Sequence, residues 1–168
     1  MLVSAACSHL IIGHSERRQH FGETDETVNR KIGSALAHEL IPVFCVGESN
    51  KKREAGETFS VLDKHIRKGL EGFSPNDLGS LVIAYLAFWA IGTGKTATNE
   101  QAQEVHRFIR LLIVDLFGDM LAKSVRILYG GSVKPDNVSA LMYLSDVDGA
   151  VLGGAILDAE SFRLIVRF

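Results

Sequence analysis

The chain has 168 residues, 46% of them hydrophobic and 23% charged, with a formal net charge of −2. This composition suits one globular domain with a real core and lacks the basic excess that nucleic acid or an anionic membrane would call for. The longest apolar run, residues 81–91, has eleven residues, too few for a spanning helix, which takes ~20. The opening MLVSAACSHL lacks the basic residues of a signal peptide. Cys7 and Cys45 form neither a CxxC pair nor a disulfide framework. A reduced, cytoplasmic setting is therefore expected. With no HExxH and no Cys/His cluster, a metal site is not.

In chain order, HLII (9–12) is the first short apolar run and reads as a strand. A helix follows, capped by Thr24, with Val28, Ile32, Ala35 and Leu36 on one face. LIPVFCV (40–46) is the second strand, and Phe59, Leu62, Ile66 and Leu70 mark the next helix. LVIAY (81–85) is the third, followed by a helix with Val105, Phe108, Ile109, Leu112 and Leu116 along one stripe. VRILY (125–129) leads to a short helix with Pro135 in its first turn, running through Leu144. DGAVL (148–152) is the last strand, and Asp158 caps a terminal helix. No strand alternates with polar residues, so both faces of each are expected to be buried. The order βαβαβαβαβα, without a linker, implies one domain over residues 1–168 with parallel strands and right-handed crossovers.

Turn chemistry crowds the strand exits: GHSERR (13–18), GES (47–49), GTGKT (92–96), GGS (130–132) and GG (153–154). Glycines can simply end strands. Several such clusters at the carboxyl ends of parallel strands, two followed by hydroxyl residues, favour a phosphate site instead. GKT at residues 94–96 is not a P-loop, because Trp89 stands where that motif needs its first Gly. A dinucleotide fingerprint fares little better. Ala97 fits its looser form, but no tight βα turn encloses it and no acidic residue ends VRILY.

Together IIGHSERRQHFGETDETVNRK, PVFCVGE, WAIGTGKTAT, ILYGGSVKPDN and DGAVLGGAILDAESF closely resemble the triosephosphate isomerase family, in order and spacing, from about His9 onward. The resemblance implies an eightfold βα barrel of ~250 residues, of which this chain supplies five βα units, the family's fourth to eighth: an incomplete (βα)8 TIM barrel. The family's catalytic Lys and its subunit-locking loop belong to the first three units, so the chain reads as a truncated product or an excised piece. The family interconverts two triose phosphates through an enediolate, and is itself the standard worked case of a Glu base paired with a neutral His. The likeness makes His14 the electrophile, with Ser15 and Glu16 orienting it, and Glu16 is counted with His14 as catalytic. Arg17 and Arg18 are expected to form helix-start salt bridges, and Cys45 and Glu48 to pack the barrel. Gly92, Ser132, Gly153 and Gly154 match the family's phosphate grip. No cofactor or metal is implied. The partners implied are a triose phosphate or inorganic phosphate, held weakly, and further copies of this chain in a homo-oligomer, with neither nucleic acid nor membrane.

One departure is decisive. Where the family reads A-Y-E-P-V-W, this chain reads Ala84-Tyr85-Leu86-Ala87-Phe88-Trp89. Leu86 has no lone pair with which to take a proton from carbon. No Asp or Glu lies between residues 78 and 99. A general base supplies roughly 10²–10⁴-fold in rate. The expectation is a family member inactive by itself. The alternatives are a self-assembling scaffold with residues 86–88 as its contact surface, and an isomerase restored by a partner fragment.

Overall fold

The structure is a computed structural model that describes residues 1–90 and 96–168. Five strands form one parallel sheet in sequential order: β1 (His9–Ile12), β2 (Ile41–Val46), β3 (Val82–Leu86), β4 (Arg126–Gly130) and β5 (Gly149–Val151). The registers pair Ile12 with Phe44, Cys45 with Ala84, Leu86 with Gly130, and Gly130 with Val151. Each strand therefore sits within a residue or two of its sequence reading.

Eight helices are described: α1 (Ser15–His20), α2 (Asp25–Leu36), α3 (Asn50–Glu54), α4 (Thr58–Gly69), α5 (Asn99–Phe117), α6 (Asp119–Ser124), α7 (Val138–Met142) and α8 (Ala159–Val166). α2 and α8 begin at the caps read from the sequence, α5 at a further one, and α4 has no side-chain cap. Thr24 and Thr98 each close a reciprocal capping box, and Asp158 accepts the Ser161 N–H. Three short helices, α1, α3 and α6, carry no apolar stripe and are additions to the sequence reading. Pro135 is not in a helix: α7 starts at Val138. Asn137 holds the preceding residues as a turn, its Oδ1 accepting the Lys134 N–H at 2.8 Å and its amide donating to the Ser132 carbonyl at 2.9 Å.

The main core lies between the sheet and α2, α4 and α5, with Ile12, Phe44, Ile83, Tyr85, Ile127 and Tyr129 meeting Ile32, Ile66 and Ile109. On the opposite face Val43, Cys45, Ala84 and Leu86 form a second cluster. Burial on both faces holds for β2 and β3. It fails at the edges: Ile11 of β1 is 51% exposed, and every residue of β5 is only half-buried. An edge strand has one neighbour, so half its contacts are missing. Among the described residues no helix is long and apolar enough to cross a membrane.

Candidate active site

The carboxyl ends of the strands open into a cavity of about 760 Å3, lined by His14, Leu86, Ala90, residues 130–136, residues 151–155 and Ser161. His14, Ser132, Gly153 and Gly154, chosen from three separate strand exits, thus surround one space. Gly92 lies outside the described residues. Glu16 is exposed on α1 and does not line the cavity. Its backbone, however, meets the imidazole: the Glu16 N–H donates to His14 Nδ1 at 3.4 Å. An accepting Nδ1 carries no proton, which leaves Nε2–H as the ring's donor.

His14 takes its place from the turn before it. Gly13 adopts φ +80°, and a Cβ there would meet the Cys45 carbonyl at 3.0 Å, so the turn requires glycine. Buried Glu23 accepts the Gly13 N–H at 2.9 Å, and Arg18 Nε donates to the Gly13 carbonyl at 2.9 Å while its Nη1 reaches Asp25 at 2.7 Å. Lys31 and Arg17 also bind Glu23. Burial works to raise the Glu23 carboxyl. Lys31, the Gly13 N–H and Arg17 outweigh it and hold the group below its ordinary value. The salt bridges expected of Arg17 and Arg18 are present. Their acceptors, Glu23 and Asp25, lie within the same stretch, IIGHSERRQHFGETDETVNRK, whose likeness assigns neither of them a role.

Leu86 ends β3 at 2% exposure. A Cβ on Gly130, its register partner, would collide with the Leu86 Cδ2 methyl, so the leucine fills room that only glycine leaves. Ala87 continues the seam, donating its N–H to the Gly130 carbonyl at 2.8 Å. With Leu86 and Ala87 both buried, the apolar exit is packed rather than exposed. Phe88, the third residue of that stretch, is only half-buried.

Glu48, the nearest acid at a neighbouring strand exit, faces away from this cavity. It is fully buried, and its Oε1 accepts from Arg53 at 3.0 Å, Tyr85 at 3.1 Å, Trp89 at 3.1 Å and Thr58 at 3.4 Å. Tyr85 points to the helix-covered side of β3, opposite Leu86. Arg53 also stacks on the Trp89 ring at 4.2 Å. Beside it burial, with the Glu48 charge, pushes the Tyr85 hydroxyl well up, and burial, aided by the Glu23 charge and opposed by Arg18, lifts the Cys45 thiol to about 12. Neither is placed to ionise near neutrality. Among the described residues, the one Asp or Glu in the cavity lining is Asp136, exposed on the turn before α7.

The profile of the family described as triosephosphate isomerase matches residues 1–168. The chain is 59% identical over 168 residues to a protein called triosephosphate isomerase from Geobacter metallireducens, covering all of this chain and 67% of that relative. Relatives of the same name from Citrifermentans bemidjiense and Geotalea uraniireducens are each 56% identical over 168 residues, with the same coverage.

Proposed function

The chain belongs to the triosephosphate isomerase family, and from that premise we propose that it represents the family's fourth to eighth βα units, retains a weak phosphate site, and does not turn over triose phosphate by itself. The observation that carries this is the apolar Leu86 at the strand exit facing the His14 cavity, with Glu48 committed to the other face. In this reading His14 polarises a carbonyl through Nε2–H, and Glu16 orients it through its backbone N–H. Ser132, Gly153, Gly154 and Gly92 gather the phosphate, small residues allowing backbone N–H groups to approach its oxygens. An electrophile without a base polarises the substrate and goes no further. The compartment proposed is the cytoplasm, where exposed Cys7 and buried Cys45 stay reduced.

Phosphate titration followed by NMR tests the binding half. The amides of residues 131–133 and 153–155 should move together. Silence at tens of millimolar phosphate overturns it. Turnover tests the other half in four samples: this chain, Leu86→Glu, this chain with a polypeptide carrying the family's first three βα units, and both changes together. The parent should show none, and the double change should far exceed either single one, since residues acting as a unit are not additive. Clear turnover from the parent, abolished by His14→Ala, overturns it.

A further inference from the structure

We infer that Glu23 and Arg18 are positioning residues for His14, holding the two successive peptide planes before it and so fixing both the direction and the tautomer of its imidazole. The Gly13 nitrogen belongs to the peptide plane shared with Ile12, and the Gly13 carbonyl to the plane shared with His14. Glu23 grips the first through its Oε2, and Arg18 the second through its Nε, each at 2.9 Å. Both side chains are themselves anchored: Glu23 by Arg17 and Lys31, Arg18 by Asp25, which also has His65 at 4.0 Å.

With both planes held, the φ of +80° at Gly13 is set from two sides, and with it the vector along which the His14 side chain leaves the backbone. Arg18 has a second hold, since its own N–H donates to the His14 carbonyl at 3.1 Å. That bond closes the first turn of α1 and carries the Glu16 N–H to Nδ1. Two buried charges on one glycine are more than a surface turn requires. Their common effect is to remove freedom from the residue that follows. This inference rests on the geometry of residues 12–25 and not on the phosphate reading, so either can fail alone.

The test is the ring nitrogen spectrum of the ¹⁵N-labelled full chain, recorded for the parent, Glu23→Gln, Glu23→Leu and Arg18→Lys. In the parent, His14 should show a bare Nδ1 and a protonated Nε2. His106, whose Nδ1 donates to the Ala102 carbonyl at 2.7 Å, should show the opposite tautomer and serves as the internal control. Glu23→Gln keeps an oxygen for the Gly13 N–H and should leave His14 near the parent pattern. Glu23→Leu removes that acceptor, and Arg18→Lys cannot span both Gly13 and Asp25. In both, the two His14 nitrogen signals should converge as the tautomers mix, with His106 unchanged. Should Glu23→Leu fail to fold, Arg18→Lys decides. A parent with mixed His14 tautomers overturns the inference, as does an Arg18→Lys protein in which His14 keeps the parent pattern. It is overturned equally if His106 shifts as much as His14, because the change would then be a loosening of the whole core.

Discussion

Glu48 is fully buried, and Arg53, Tyr85, Trp89 and Thr58 all converge on its Oε1. Removing one partner of a buried ion pair strands the other, at a typical cost of about 3–5 kcal/mol. The Arg53 side chain is 22% exposed and can recover some hydration, so Glu48→Ala is expected at the lower end, about 3 kcal/mol, read from the urea midpoint at constant slope. A loss under about 1 kcal/mol would mean the four contacts are not formed together. Histidines set the acid limb of stability. Burial, then Arg18, pushes His65 down to about 4 against the pull of Asp25, and burial also lowers His106. Unfolded, each should titrate near 6.5. Below that value the unfolded chain binds protons that the folded chain refuses. The His65 contribution is therefore full above about 6.5 and falls from there toward about 4, with a slope of up to about 1.4 kcal/mol per pH unit, and the His106 contribution is lost in the same direction. Urea midpoints measured between pH 7 and 4.5 should decline, and His65→Gln should flatten the decline. An unchanged slope in that variant would show His65 to be solvated.

Helices make the next scale legible. The Thr24 and Thr98 hydroxyls each accept an orphan N–H from the residue three positions on, and each threonine donates its own backbone N–H to that residue's side chain. Thr98→Ala should cost about 1 kcal/mol. It should also raise hydrogen exchange in the first turn of α5, while α4, which has no side-chain cap, stays as it was. Equal change in both helices would point to global loosening instead. Caps, apolar stripes and uninterrupted strands were readable because each is a local consequence of residue type. The helices that escaped notice, SERRQH, NKKRE and DMLAKS, have no stripe to read; their shape follows from the turns that flank them. Pro135 misled because Pro suits a first helical turn, whereas Asn137 closes a separate turn around it. In the site, His14, Ser132, Gly153 and Gly154 could be brought together on paper because parallel strands deliver their exits to one end of a sheet. The grip of Glu23 on Gly13 and of Asp25 on Arg18 could not, since nothing in their spacing says that they fold back onto the GHSERR turn.

At the scale of the whole molecule, β1 and β5 each have a single strand neighbour among the described residues, and Ile11 stands half in solvent on the face opposite the helices. Unpaired edges, one of them carrying an exposed apolar side chain, invite association. The polypeptide is expected to sediment as a homo-oligomer at micromolar concentration, and Ile11→Lys to shift it toward 18.3 kDa. A parent that stays at 18.3 kDa and unfolds cooperatively would contradict this. The chain holds a single tryptophan. Trp89 is buried in the helix-side core, hydrogen-bonded to Glu48 and covered by the Arg53 guanidinium. The molecule thus carries its own optical gauge. Its fluorescence comes from one indole in one dry, polar-capped niche, so emission should lie to the blue of indole in water and move to the red in one step on unfolding. Whatever loosens the Glu48 cluster reaches the same lamp, and no label has to be attached to see it.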